Sequence, residues 1–276
     1  MTVECVIVCV DYADFLVQTL PHNIQHFDRV LVVTSFSDRA TQSVCRRLSV
    51  ECRPTDVMYR DGEPFAKGRA IDYGLGYLQR CDWMVQLDAD IWLPPTTRNC
   101  LNWIPLDDDC IYGIDRVNCV GYDKWARFMS NAPEKNLSPG GKPPRGLSSK
   151  AMDRLQHRYH CMIQPPGLGG ENFPLGTRIA LREHGGYVPI GFFQLWHTRH
   201  QRRYPLLQGS AEHTDVLHAL QWPAGKRRLI PEIIGIHLSS EPGPMGANWS
   251  GRTSRRFGPV ADVAAESSRE SGYQAP

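Results

Sequence analysis

Residues 84–95 read MVQLDADIWLPP, and the fold turns on how that stretch is understood. Trp83 to Leu87 is an apolar run of strand length, and two carboxylates, Asp88 and Asp90, stand where it ends. In an open α/β sheet, ligands gather outside the carboxyl ends of the strands, so this pair is placed to hold a hydrated divalent cation. Spacing alone decides little, because 18 aspartates in 276 residues produce roughly one D-x-D by chance. Asp107-Asp108-Asp109 supplies another, but it precedes a strand-like run and reads as a solvated turn.

Outward from this strand, the first hundred residues alternate apolar runs with helical periodicity, the rhythm of a parallel sheet with crossover helices. Strands are expected at Val3 to Val10, Arg29 to Thr34 and, more weakly, Val50 to Cys52. Helices are expected at Tyr12 to His26, with Pro21 kinking or dividing it, at Asp38 to Leu48 and at Lys67 to Arg80. Beyond the strand of residues 84–95 come a strand at Cys110 to Ile114 and a Pro/Gly/Ser/Asn-rich segment at 131–149 that reads as a long mobile loop. The aromatic stretch GYVPIGFFQLWH (186–197), a helix at Glu212 to Leu220 and a strand at Arg228 to His237 follow. The expected organisation is a single α/β domain over 1–258, with a Rossmann-like, mostly parallel half (1–115), a less regular second half (116–258) and a flexible tail at 259–276.

Composition narrows the class. With 41% hydrophobic and 22% charged residues, the chain has enough apolar content for a large core and is neither collagen-like nor wholly disordered. No apolar run approaches the roughly 20 residues that cross a bilayer, and MTVECVIVCV lacks the basic start of a secretory signal, so a non-membrane protein is expected. Nine cysteines without a C-x-x-C pair argue against a disulfide framework or zinc ribbon and for a reducing cytoplasm. Asn248-Trp249-Ser250 matches a glycosylation acceptor, but such a match has no consequence in that compartment. The formal charge of +2 conceals an imbalance: residues 139–258 hold 16 Lys and Arg against 7 Asp and Glu. That half suits an anionic partner or a solvated basic face.

The opening strand, FAKGRAIDYGL (65–75), LDADIWLPP, GFFQLWH, SAEHTDVLHALQW (210–222) and IIGIHLSS (233–240) occur in an order that resembles the family-2 type of GT-A glycosyltransferases. The resemblance spans Val3 to about Arg256. It implies a UDP-sugar donor and a Mn²⁺ or Mg²⁺ ion, with Asp90 as a metal ligand, Asp88 between ribose and metal, and His237 as a third protein ligand, which favours Mn²⁺. Val10, Tyr12 and Thr34 would border the uracil, and Lys67 would meet ribose or phosphate at a helix start, although a surface lysine beside Arg69 fits equally. Asn248, Trp249 and Arg252 would close over the diphosphate. Inverting transfer of a hexose needs a general base, and Glu212 and Asp215 are the candidates, Asp215 preferred; helix-capping is the plainer role for both.

The acceptor is written less clearly. Basic clusters at Arg145, Lys150, Arg154 and Arg158, at Arg199, Arg202 and Arg203, at Lys226, Arg227 and Arg228, and at Arg252, Arg255 and Arg256 could contact phosphates. The chain also resembles soluble phage-type glycosyltransferases, some of which modify hydroxymethylated pyrimidines. DNA carrying 5-hydroxymethylcytosine is therefore the preferred acceptor, with Phe192, Phe193 and Trp196 stacking on a flipped base or simply packing the core. A transferase acting on a glycan or protein, and a non-catalytic nucleotide-sugar or nucleic-acid binding module, remain open.

Overall fold

The computed structural model describes residues 1–130, 180–181, 186–206, 213–241, 252 and 254–260. Eight strands form one sheet in the order β3-β2-β1-β4-β9-β6-β10-β5. They are β1 (Val3–Val8), β2 (Arg29–Thr34), β3 (Glu51–Pro54), β4 (Trp83–Asp88), β5 (Ile91–Trp92), β6 (Ile111–Val120), β9 (Phe193–His197) and β10 (Arg227–Ser239). β7 (Ala180–Leu181) and β8 (Gly186–Tyr187) make a separate antiparallel pair. β1 pairs in parallel with β2 and β4, β2 with β3, and β6 with β10; only β9 and β5 run against their neighbours. The expected mixed α/β architecture with a mostly parallel sheet is therefore present.

β1 is buried along its whole length and β2 nearly so, which is why both read as unbroken apolar runs: parallel strands between helical layers have no wet face. One face of the sheet packs with α1 (Ala13–Asn23) and α2 (Arg39–Arg47) around Leu16, Leu20, Val44 and Leu87. The other takes α3 (Lys67–Leu75) against Val6, Val8 and Val33. A Cβ at Gly74 would lie 2.4 Å from Val6 Cγ2 and 2.7 Å from Val33 Cγ2, so only glycine allows α3 this close to the sheet. α4 (Thr97–Trp103), α5 (Tyr122–Ser130) and α6 (Thr214–Ala219) complete the helices.

Several boundaries differ from those expected. α1 passes through Pro21 undivided and then tightens into a 3₁₀ turn at Ile24–His26; so near the helix end, the missing N–H removes a single bond. β1 stops at Val8, and Asp11, at φ 58°, turns the chain into α1. α3 ends at Leu75 rather than Arg80, since Gly76 caps it and Arg80 adopts a positive φ. β6 reaches Val120, ten residues in place of five, because β10 continues beside it past a register shift between Ile230 and Ile234. Val260, expected to open the tail, packs against the main apolar layer; the segment 131–149 and residues 261–276 lie outside the described residues. No described helix is long and apolar enough to cross a membrane.

Candidate active site

Asp88 is the last residue of β4, and Asp90 follows it into the two-residue β5. The antiparallel pairing of β5 with β10 sets His237 opposite Ile91 and bonds the Leu238 N–H to the Asp90 carbonyl at 2.9 Å. His237 Nε2 thereby lies 3.3 Å from Asp90 Oδ2. Its other ring nitrogen, Nδ1, is 3.2 Å from Oδ1 of Asn118, its register partner on β6. Nε2 and a carboxylate oxygen, each able to offer an electron pair to a cation, thus face each other. Among the described residues, the second Asp90 oxygen, Oδ1, is buried without a hydrogen-bond partner.

Asp88 faces the other way. Its Oδ1 accepts from Lys67 Nζ at 2.5 Å and from Gln86 Nε2 at 2.8 Å. Lys67 opens α3 and carries its charge into the site rather than out to solvent. Asp215, in the first turn of α6, accepts a short hydrogen bond from the Gly191 N–H through Oδ2. Arg116 is half-buried on β6, 4.6 Å above the Phe192 ring, and feels the charges of Asp90, Asp88 and Asp215. Three carboxylates thus share a partly buried region with Lys67, Arg116 and His237.

Their titration follows from this crowding. Burial pushes the Asp88 carboxyl above its usual range, with Asp90 and Asp215 adding to the rise and Lys67 opposing it. Burial also works against a charged Asp90, but His237, Lys67 and Arg116 hold its pKa below the usual value. Lys67 is likewise penalised by burial, and the facing carboxylates, Asp88 foremost, still raise its pKa. Desolvation lowers that of Arg116.

A divalent ion fits this donor set in one respect and departs from expectation in another. The imidazole nitrogen and carboxylate oxygen span 3.3 Å, close to the separation of adjacent ligands whose bonds are about 2.1–2.2 Å, and Asp90 Oδ1 lacks any other partner among the described residues. The expected trio of Asp88, Asp90 and His237 is not assembled, however: Asp88 is paired with Lys67, and among the described residues no three His, Cys, Asp or Glu side chains lie close enough to share an ion. Asp90 and His237 would hold it, with remaining positions for diphosphate oxygens and water.

Other expected contacts are redirected. Thr34 is buried, its hydroxyl donating to Asp38 and its carbonyl accepting from the Thr55 N–H. The Tyr12 ring stacks on Phe15 at 5.0 Å, lies under the Arg252 guanidinium at 4.9 Å and bonds Ser254 through its hydroxyl. Arg252, expected on the diphosphate, instead clasps buried Asp14 in two bonds of 2.5 and 2.8 Å. Val10 sits half-buried against the α3 side of the core. Phe192, Phe193 and Trp196 are core side chains, which removes them as stacking platforms. Glu212, Asn248 and Trp249 lie outside the described residues.

The basic face is also largely committed. The acidic turn draws Lys226 and Arg228 to Asp107 at 3.1 and 3.7 Å and Arg199 to Asp109 at 3.6 Å. The N–H of Asp109, helped by Lys226, lowers the pKa of the Asp107 carboxyl. Arg202 stacks on Trp222 at 4.5 Å, and Arg227 is buried. Arg116, Asn118, Gln86 and Gln194 were not picked out from sequence. Their signal was there in polar residues at alternate positions of otherwise apolar strands: MVQLD, FFQLW and DRVNCV.

No protein-family model matches the chain, and no curated protein matches it. Among solved structures, the mannosyl-3-phosphoglycerate synthase of Rubrobacter xylanophilus is similar at TM-score 0.45 and 16% identity, covering 88% of this chain and 68% of its own. A glucosyl-3-phosphoglycerate synthase of Mycobacterium tuberculosis, in complex with Mn²⁺, UDP-glucose and glycerol 3-phosphate, gives TM-score 0.45 and 10% identity over 88% of this chain and 73% of its own. At this level of likeness neither the donor nor the acceptor of those enzymes carries over to this chain.

Proposed function

We propose that the chain is a metal-dependent glycosyltransferase that moves a hexose from a UDP-sugar to a hydroxyl acceptor. The observation that carries this reading is the Asp90–His237 pair at the carboxyl end of a parallel sheet, with one buried carboxylate oxygen unpartnered among the described residues. A Mn²⁺ or Mg²⁺ ion held there would neutralise negative charge growing on the departing nucleoside diphosphate. Lys67 adds a second cation from the start of α3, where backbone N–H groups also favour phosphate. Asp215 is the base: oriented by the Gly191 N–H, it would take the acceptor hydroxyl's proton as the oxygen attacks the anomeric carbon. Arg116 moderates repulsion among the three carboxylates.

For the acceptor, we propose 5-hydroxymethylcytosine in DNA. Its support narrows to the basic residues Arg145, Lys150, Arg154 and Arg158 with Arg203, Arg255 and Arg256, since Arg199, Lys226, Arg228 and Arg252 are already paired with carboxylates. The test is to incubate the protein with UDP-glucose, Mn²⁺ and hydroxymethylated DNA, following UDP release and the mass of digested nucleosides. The expected result is Mn²⁺-dependent UDP release that Asp90→Asn reduces by about a hundredfold, with hexose on the modified base. UDP release without hexose on DNA rejects the acceptor alone; no UDP binding or release, with or without metal, rejects the transferase.

A further inference from the structure

Gln194 is the second residue of β9 and is wholly buried, yet its carboxamide is fully engaged. Nε2 donates to the carbonyl of Asp215 at 2.9 Å and to that of Pro189 at 2.8 Å. Oε1 accepts from the Tyr204 hydroxyl at 2.6 Å and lies 3.2 Å from His218 Nδ1. Two donors and two lone pairs exhaust what a glutamine has. The orientation is dictated as well, because the reversed amide would set its oxygen against two carbonyls. Tyr204 and His218 are stacked at 3.8 Å between rings and walled by Trp196 and Trp222, so the anchor is rigid.

This anchor grips the first turn of α6 at Asp215. The same hairpin holds that residue's side chain, since Gly191, two residues before β9, donates its N–H to Asp215 Oδ2. A Cβ at Gly191 would stand 2.6 Å from Asp215 Cβ, so glycine is needed for the approach. β9 in turn pairs with β4 with Gln194 directly opposite Gln86, and Gln86 donates to Asp88 at 2.8 Å. Two neighbouring buried glutamines, linked by a single strand ladder, therefore bond the carboxylate of Asp88 and the main chain of Asp215 respectively.

We propose that Gln194 is a positioning residue that fixes Asp215 relative to Asp88 by holding the backbone of α6 to β9. The proposal rests on the assignment of Asp215 as base only for its effect on turnover; the positioning itself is read separately. The experiment compares wild type with Gln194→Met and with Gln194→Glu, which keeps the acceptor for Tyr204 and His218 but loses the donors to both carbonyls. The amide resonance and hydrogen exchange of Gly191 report the Asp215 contact, and Mn²⁺-dependent hydrolysis of UDP-glucose gives kcat and KM. The expected result is faster Gly191 exchange in either folded variant, with kcat lowered about tenfold or more and donor KM within about twofold. Unchanged Gly191 exchange in a folded variant overturns the proposal, as does a loss shared equally between kcat and donor affinity. If wild type neither binds UDP nor hydrolyses the donor, the transferase assignment fails, while Gly191 exchange still decides the positioning.

Discussion

At the scale of the residue, Lys67 and Asp88 hold each other while Asp90 is left to His237. In this state the site is partly neutralised by its own lysine, and a diphosphate would compete with Asp88 for that ammonium group. Lys67→Met should therefore separate two affinities that usually move together. Mn²⁺ alone is expected to bind several-fold more tightly, because a facing positive charge is gone. UDP in the presence of Mn²⁺ is expected to bind roughly tenfold more weakly, because a charge-assisted contact is lost. Calorimetric titrations of both ligands check this, and parallel changes would mean that Lys67 does not exchange between carboxylate and phosphate. That Lys67 reaches inward is invisible in a K-G-x-A element, which fits a surface lysine as well.

At the scale of the element, Arg252 and residues 254–257 are strapped to the start of α1. Arg252 bonds both oxygens of Asp14 and the Asp11 and Arg255 carbonyls, the Phe257 N–H bonds Asp14 at 2.6 Å, and the Phe257 ring stacks on Phe15 at 4.9 Å. Asp14 is 2% exposed, so removing its partner strands a buried carboxylate. Arg252→Ala is expected to cost about 3 kcal/mol of stability, measured by urea denaturation, and Asp14→Asn with Arg252→Met should recover part of it. A variant of wild-type stability with weakened UDP binding would return Arg252 to the diphosphate role that the family resemblance implied. The strap joins residues about 240 positions apart, and no local periodicity announces such a bond.

At the scale of the whole molecule, two buried histidines set an acid limit. Burial, chiefly, lowers the pKa of His218 to about 3 and that of His26 to about 4. Both are neutral in the fold and gain a proton more readily when it opens. Their contribution is complete above the unfolded value of about 6.5 and declines as pH falls toward the folded values, by about 1.4 kcal/mol per histidine per pH unit. Denaturation midpoints should drop between pH 7 and 5, and His218→Gln should flatten that slope. A midpoint constant over this range would show that neither ring is held neutral. The acidic turn at 107–109 works at this scale too, drawing in cations from β10 and from the segment after β9. Each exposed pair contributes little, but together they consume charge that sequence alone left open to an anionic partner or to solvent.

Sequence by itself determined the parallel first half, because strands buried on both faces must be apolar throughout and helices must carry a stripe. β2 spans Arg29–Thr34 as expected, and Asp38 caps α2 through Thr41. It also determined that Asp88 and Asp90 leave a strand together, since adjacency in the chain is enough to place them. Tertiary structure alone decided that Asp88 turns to Lys67, that Asp90 meets His237 across a β5–β10 pairing, and that Gln194 holds Asp215. It also turned the aromatic stretch and much of the basic set inward or onto acidic partners. Periodicity records which side of an element is buried; partners distant in the chain are chosen by strand order and register, which depend on the packing of all the elements at once.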